Sequence, residues 1–176
     1  AELLRPTVQY LRSLLVLLVL GGGLIAADEL TRWNEKAIYG DDVIHAETTP
    51  YQRLVVTRWR DDIRLFLNQN LQFSSRDEYR YHEALVHPGL AALPGAKRVL
   101  VLGGGDGLAV REILRYPHIE HITLVDLDPA MTGLFARSAP LVALNGGALS
   151  SPRLRVVNDD ELLCVVPNPE VLQSSV

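Results

Sequence analysis

Cysteine is almost absent from this chain, with Cys164 the only one among 176 residues. A single thiol excludes an intramolecular disulfide framework and any metal site built from several cysteines. The five histidines show no metal-ligand spacing such as His-Glu-x-x-His, and no serine or cysteine lies in a nucleophile elbow. The sequence therefore predicts neither a metal centre nor a covalent hydrolase.

An excess of positive charge is also missing. The chain has 17 basic against 21 acidic residues, which gives a net charge of -4 at pH 7. Domains that bind nucleic acid usually carry a basic cluster or stripe, so we expect no nucleic-acid partner. The apolar share of 48% is sufficient for the core of one ordinary domain, with or without a short appendage.

One long uncharged segment spans residues 13–27. It is shorter than the roughly 20 residues that cross a bilayer, but extension back to Thr7 reaches that length and lets Arg12 snorkel to the interface. A terminal transmembrane helix is the favoured interpretation, with residues 1–42 as helix and connector. A signal peptide and an apolar helix buried in a soluble core are the alternatives. Basic residues flank both ends, so the orientation stays open.

Residues 43–75 have strand-forming composition interrupted by polar turns. Strands at 51–59, 63–67 and 71–73, separated by short turns, predict a small antiparallel meander. Ser75 and Glu78 then have the spacing of a capping box. This predicts a helix that begins at residue 76 and ends near Val86, before Pro88.

A glycine-rich turn at residues 103–107 follows the apolar run 99–102 and precedes a helix predicted over 108–116. Gly103 and Gly105 belong to this turn, where glycine permits positive φ and close approach of a ligand. A second apolar run, 122–125, ends at Asp126, whose carboxylate can accept hydrogen bonds from both hydroxyls of a ribose. This succession of a strand, a glycine turn, a helix and a second strand that ends at an acidic residue predicts half of a nucleoside-binding site.

The residue types in this turn indicate which class of nucleoside the site would bind. A dinucleotide fingerprint requires glycine at position 108, where this chain has Leu108, and the turn itself contains Asp106. Phosphates bind backbone N–H groups at a helix start and avoid a fixed anion there. An acid at this position suits an ammonium or sulfonium group, as in S-adenosylmethionine and its relatives.

A third parallel strand is predicted at 153–157 and is followed by Asp159 and Asp160. Ligands of open α/β sheets bind beyond the carboxyl ends of the strands, so these acids would share one rim with Asp106 and Asp126. The expected fold class is α/β. A partial doubly wound, Rossmann-like and methyltransferase-type parallel sheet in residues 76–176 would follow the meander and the N-terminal apolar helix.

Several short motifs in this order resemble spermidine synthases, with a resemblance that covers roughly residues 47–160. They are Tyr51-Gln52, Leu71-Gln72, Asp77-Glu78, Tyr81-His82-Glu83 and the glycine turn 103–107. The apolar segment before them resembles the membrane-attached bacterial members. The resemblance implies transfer of an aminopropyl group from decarboxylated S-adenosylmethionine to putrescine, without a metal or a tightly bound cofactor. It also implies a nucleoside-binding domain on the cytoplasmic side and a homodimer paired through the meander.

The resemblance also implies a role for each matching residue. Gln52 and His82 would contact the nucleoside donor, Asp106 its aminopropyl ammonium, and Asp126 the ribose, where the family usually has Glu. Asp160 would accept the adenine amino group, and Tyr81 would lie near the transferring group as the one catalytic candidate.

The family deprotonates its amine with an Asp in an acidic loop after a fourth strand. Residues 161–176 contain no such loop and do not resemble the family. This predicts a C-terminally truncated chain that holds the donor half of the site. The resemblance implies an enzyme, an alkyl-group transferase, and the missing base leaves the activity of this chain open. Two alternatives to an aminopropyltransferase stay open. One is an S-adenosylmethionine-dependent methyltransferase, and the other is a non-catalytic nucleoside-binding remnant.

Overall fold

A computed structural model describes residues 4–158 of the chain. They form a long N-terminal helix followed by two small sheets. The helices are α1 (Leu4–Tyr39), α2 (Glu78–Ala92), α3 (Leu108–Leu114), α4 (Pro129–Arg137) and α5 (Ala139–Leu144), with a 3-10 turn at Ala148–Ser150. The strands are β1 (Asp42–Thr48), β2 (Arg53–Trp59), β3 (Asp62–Leu67), β4 (Asn70–Ser74), β5 (Arg98–Leu102), β6 (His121–Val125) and β7 (Leu154–Val157).

Helix α1 contains the apolar segment, and the stretch Val8–Ala27 is long and apolar enough to cross a membrane. None of that stretch is buried against the rest of the described protein, which does not fit the interpretation as a core helix. The helix continues to Tyr39, whose ring lies 4.6 Å from the ring of Phe66 in β3. This contact joins the end of α1 to the first sheet.

The first sheet is an antiparallel meander in the order β1-β2-β3-β4. Its predicted strands are present, and β1 adds a fourth that pairs with β2. The turn between β3 and β4 places Asn68 and Gln69 at positive φ, as tight hairpin turns require. One face of the meander packs against the second half of the molecule, where Leu54, Leu65 and Phe73 join α3 and α4 in a shared core.

The predicted capping box is wrong. Helix α2 begins at Glu78 with Asp77 as its N-cap, and no side chain caps it. The Ser75 hydroxyl instead accepts a hydrogen bond from the Ile63 backbone N–H at 2.9 Å, and it donates to Asp62 at 3.1 Å. Long-range partners in β3 therefore take the side chain that the local pattern assigned to the helix start.

The predicted end of α2 near Val86 is also wrong, because the helix passes through Pro88 and ends at Ala92. Proline removes one helical hydrogen bond and normally ends or kinks a helix. Here Val86 and Leu90, on either side of it, are both buried in the same core cluster. Burial of Leu90 offsets the lost hydrogen bond.

The second sheet is parallel in the order β5-β6-β7, with Val99 opposite Ile122 and Ile122 opposite Leu154. Residues from α2 and α3 pack on one face of this sheet in the second core cluster. The predicted fold class, an α/β chain with a partial Rossmann-like parallel sheet after a meander and an apolar helix, is confirmed. The division at residues 42/43 and 75/76 stays a prediction.

Candidate nucleoside-binding site

A cavity of about 1130 Å³ lies between the meander, α2 and the carboxyl ends of β5 and β6. Its size is slightly above the usual range of about 300–1,000 Å³ for small-molecule pockets. Seven predicted site residues line it: Gln52, Tyr81, His82, Gly103, Gly105, Asp106 and Asp126. Asp160 lies outside the described residues.

The glycine turn approaches the neighbouring strand end more closely than other residues allow. Gly103, Gly104 and Gly107 have positive φ. A Cβ atom on Gly105 would lie 2.8 Å from the Asp126 carboxylate, a distance that real Cβ contacts do not show. Gly105 is therefore needed for the position of Asp126 rather than for its own backbone conformation.

The Asp126 carboxylate is held by two backbone donors. Its Oδ2 accepts from the Gly105 N–H at 2.7 Å, and its Oδ1 accepts from the Asp128 N–H at 3.0 Å. These bonds fix the plane of the carboxylate at the end of β6. Each oxygen keeps a further lone pair, so two ligand hydroxyls can still donate to it.

The Asp106 carboxylate accepts a hydrogen bond from the Leu108 N–H at 2.8 Å. Burial raises the pKa of Asp106 above its ordinary value, while the Leu108 N–H and the nearby His82 act to lower it. The carboxylates of Asp126 and Glu78 add to the rise in the pKa. A negative charge at this place is therefore costly, and a bound cation would relieve the cost.

Glu78, four residues earlier on α2, fixes the orientation of the His82 ring. Its Nδ1 lies 2.8 Å from the Glu78 carbonyl oxygen and 2.8 Å from the Glu78 Oε2. Since both partners accept, Nδ1 carries a proton. The other ring nitrogen, Nε2, is left for the cavity that His82 lines.

Glu78 is in turn paired with Arg111 of α3 at 2.8 and 3.1 Å, one bond to each carboxylate oxygen. Arg111 also donates to the Leu144 carbonyl at 2.9 Å. Sequence reasoning missed this pair because Glu78 had been assigned to the capping box. Its partner, 33 positions away, has no local signal.

Asp128 is a second residue that sequence reasoning missed. It is 1% exposed, and its side chain caps α4 by accepting from the Ala130 N–H. It also accepts a hydrogen bond from the side-chain amide of Gln52 at 3.0 Å. The Asp-Pro pair at positions 128–129 is a recognisable helix start and was the available signal.

Tyr81 lies at the mouth of the cavity with its ring edge-on to that of His82, 5.1 Å between centroids. Its side chain is 66% exposed.

Outside the cavity, Glu83, His87 and Glu112 bring metal-ligand atoms within 4.8 Å of one another. Guanidinium groups already contact Glu112 there, Arg111 at 2.9 Å and Arg115 at 2.6 Å. Burial acts to raise the pKa of Glu112, but hydrogen bonds from the two arginines outweigh it and lower the pKa. The cluster is thus neutralised by protein cations, and we assign no metal to it.

Comparison with protein-family models matches residues 78–166, half of the chain, to the spermine/spermidine synthase domain. The match extends past Asp160, where the sequence had suggested that the resemblance ends. Two polyamine aminopropyltransferases of Ralstonia nicotianae are each 67% identical over 138 residues, and one from Leptospira interrogans is 51% identical over 160 residues.

The alignments cover 78% of this chain for the Ralstonia proteins and 91% for the Leptospira protein. The chain spans only 26–32% of the length of these relatives. Among solved structures, spermidine synthase from Thermotoga maritima aligns with a TM-score of 0.63 and 29% identity, over 68% of this chain and 42% of that one. A spermidine synthase in complex with the transition-state analogue AdoDATO aligns with a TM-score of 0.62 and 29% identity, over 67% and 40%.

Proposed function

This chain belongs to the spermine/spermidine synthase family, and on that premise we propose that its cavity binds decarboxylated S-adenosylmethionine for aminopropyl transfer to putrescine. The observation that carries the proposal is the placement of two acids in one cavity: Asp106 lies in the turn after β5, and Asp126 follows the end of the adjacent parallel strand β6. Asp106 is suited to bind a cationic group of the ligand, and Asp126 is suited to bind a pair of vicinal hydroxyls.

Asp126 is proposed to hold the ribose. Its two oxygens are fixed by backbone N–H groups and aimed from the end of β6. Vicinal hydroxyls of a ribose can each donate to one oxygen of such a carboxylate. The family usually has Glu here, and the shorter Asp suits the close approach of the turn at Gly105, 2.7 Å away.

Asp106 is proposed to bind the ammonium of the aminopropyl group. A half-buried carboxylate with a raised pKa gains most from a ligand that brings a positive charge. His82 presents Nε2 to the same cavity, and Tyr81 is proposed to flank the transferring group at the cavity mouth. Asp160 stays proposed as the acceptor for the adenine amino group.

The chemistry agrees with these residue types. A sulfonium is a good leaving group, so attack by an amine on the adjacent carbon needs no metal and no covalent intermediate. The attacking amine must first lose a proton. For an alkyl ammonium with a pKa of about 10.4, this costs roughly 4.6 kcal/mol at pH 7. The resemblance assigns that step to a later acidic loop, while the described residues bind and orient the donor.

We propose that α1 attaches the protein to a membrane through Val8–Ala27. A predominantly apolar stretch of 20 residues without burial in the described protein supports this, because about 20 residues span the hydrocarbon core. The nucleoside-binding part would then lie on the cytoplasmic side, as the resemblance implies.

A homodimer formed through the meander is the proposed assembly. Its outer strands β1 and β4 each have one unpaired edge among the described strands, and Ile44 and Leu71 are exposed on them. Light scattering of the detergent-solubilised chain tests this, and the mass of one protein chain per particle would contradict it.

Calorimetry with the full chain in detergent tests the function. We expect the decarboxylated donor to bind most tightly, methylthioadenosine less tightly, and S-adenosylhomocysteine least, because its carboxylate would meet Asp106. Asp126→Ala should weaken all three, whereas Asp106→Asn should weaken chiefly the decarboxylated donor. Tighter binding of S-adenosylhomocysteine would favour a methyltransferase, and no nucleoside binding at all would contradict the proposal.

A further inference from the structure

We infer that Asp128 is a positioning residue that fixes the side-chain amide of Gln52, so that Gln52 presents a hydrogen-bond acceptor to the cavity. The two residues are 76 positions apart, one before β2 and the other before α4. The inference rests on the proposed function, since it assigns the polarity of one wall of the same nucleoside site.

The contacts decide which way the amide points. Asp128 Oδ2 accepts a hydrogen bond from Gln52 Nε2 at 3.0 Å and another from the Thr49 hydroxyl at 2.8 Å. An ionised carboxylate can only accept, so the NH2 group of Gln52 must face Asp128. The opposite orientation would bring two acceptor oxygens together.

Asp128 itself cannot turn to relieve such a clash. Its Oδ1 accepts from the Ala130 N–H at 3.0 Å, and its own backbone N–H donates to Asp126 at 3.0 Å. The residue is 1% exposed. One buried carboxylate thus caps α4 and sets the amide of Gln52, while its backbone N–H holds the ribose-binding acid.

What remains for a ligand is the carbonyl oxygen of Gln52. Its Oε1 accepts no hydrogen bond from any side chain or backbone group that the structure describes, and Gln52 lines the cavity. With Asp126 nearby, this wall therefore offers acceptors and favours a ligand group that donates, such as a hydroxyl. A Gln52 turned the other way would offer a donor to that group and repel it.

Asp128→Asn separates the positioning role from the structural one. Asparagine caps helices as well as aspartate does, so the bond to Ala130 and the stability of α4 should survive. Its NH2 group, placed where Oδ2 was, would donate to Gln52 and force the amide to turn. We expect methylthioadenosine to bind roughly tenfold more weakly, the effect of one lost hydrogen bond, with little change in the unfolding temperature.

The double variant Gln52→Glu with Asp128→Asn tests the polarity directly. The introduced glutamate would accept from the new amide and present its other oxygen to the cavity, so the acceptor returns. We expect affinity to recover to within about threefold of the unmodified chain. A general packing defect at position 128 would not be corrected by this second change.

A measurement without ligand supports the binding data. In the unmodified chain, the side-chain NH2 protons of Gln52 should exchange slowly with solvent, and Asp128→Asn should shift their NMR signals. Rapid exchange in the unmodified chain would overturn the inference. So would unchanged affinity in Asp128→Asn, or a double variant that binds no better than the single one.

The failure of this inference is distinct from that of the proposed function. If the unmodified chain binds no nucleoside, the proposed function fails, while the amide exchange data still decide the orientation of Gln52. If it binds methylthioadenosine and Asp128→Asn binds equally well, only the positioning role of Asp128 is refuted.

Discussion

The Nδ1 atom of His82 lies 2.8 Å from two oxygens of a single residue, the backbone carbonyl and the carboxylate of Glu78. The same carboxylate receives both terminal nitrogens of Arg111. A cavity-lining imidazole on α2 is therefore oriented by an ion pair that also ties α2 to α3. The pair also places the positive charge of Arg111 next to Glu78, which lines the cavity together with Asp106 and Asp126.

The first prediction concerns the ion pair. Arg111→Met should lower the free energy of unfolding by about 3 kcal/mol, at the low end of the range for breaking a buried pair because Arg111 is partly exposed. The reason is that Glu78, almost fully buried, would lose its countercharge. Denaturant unfolding of the full chain in detergent measures the change.

The matched control is Arg76→Met, which removes an exposed arginine from its pair with Asp61. Exposed pairs contribute little, so this variant should unfold almost as the unmodified chain does. Equal effects of the two substitutions on the free energy of unfolding would show that the buried Arg111–Glu78 pair contributes no more to stability than an exposed pair.

The second prediction follows from the raised pKa of Asp106. A carboxyl whose folded-state pKa is raised favours folding while protonated, and this contribution is lost as the pH rises through that pKa. Asp106→Asn does not titrate there. Its unfolding temperature relative to the unmodified chain should therefore rise as the pH increases from 4 to 8, while affinity for the decarboxylated donor falls.

Asp61→Asn is the control, because its relative unfolding temperature should change with pH in the opposite direction. The hydrogen bond from Arg76 lowers the pKa of Asp61, so Asp61 contributes to stability above its ordinary pKa and loses that contribution as the pH falls. Asp61→Asn should lose relative stability toward neutral pH, but only slightly, because its pair with Arg76 is exposed. If the unfolding temperatures of the two variants showed the same trend with pH, the pKa of Asp106 would not be raised by burial.

A third prediction concerns the close approach of the glycine turn. Gly105→Ala places a methyl group 2.8 Å from the Asp126 carboxylate and 3.0 Å from Met131. Overpacking of this kind costs about 1–3 kcal/mol, and displacement of Asp126 should also weaken methylthioadenosine binding. Thermal unfolding and calorimetry on the same sample measure both effects.

Gly95→Ala is the control for this substitution, because its added Cβ meets nothing within 4 Å and its φ is not positive. This variant should keep both stability and affinity. Full affinity in Gly105→Ala would mean that Asp126 is not held where the ligand needs it.

The fourth prediction concerns the apolar helix. The double variant Leu17→Arg with Leu18→Arg places two charges at the centre of Val8–Ala27. Each costs roughly 2.5–3.5 kcal/mol for insertion. The protein should change from resistant to extractable when membranes are treated with alkaline carbonate. Leu71→Arg with Leu93→Arg, at two exposed positions outside α1, should stay resistant. If the unmodified chain were extractable, α1 would not span the bilayer.

Much of the fold was predictable because its signals are local. The apolar run 99–102, the glycines after it and the acid that ends β6 specify strand, turn and strand within about 25 residues, and all are present. The meander was predictable for the same reason, since alternating strands and polar turns at 60–62 and 68–70 need no distant partner to be recognised.

The errors fall where a distant contact outweighs a local preference. Ser75 and Glu78 have the spacing of a capping box, yet Ser75 bonds to β3 and Glu78 to α3. Pro88 should end its helix, yet the buried Leu90 extends it. In each case the competing partner lies far away in the sequence or on the far side of the breaker.

The sequence alone determined which chemical groups are present and the order of the elements that carry them, because hydrophobic periodicity and glycine turns act over a few residues. The tertiary structure decided how those groups are oriented. Gln52 points its NH2 toward Asp128, 76 positions later, because that carboxylate can only accept. His82 turns Nε2 toward the cavity because Glu78 occupies Nδ1. Hydrogen-bond direction depends on which partners the fold brings within about 3 Å, and no local pattern contains that information.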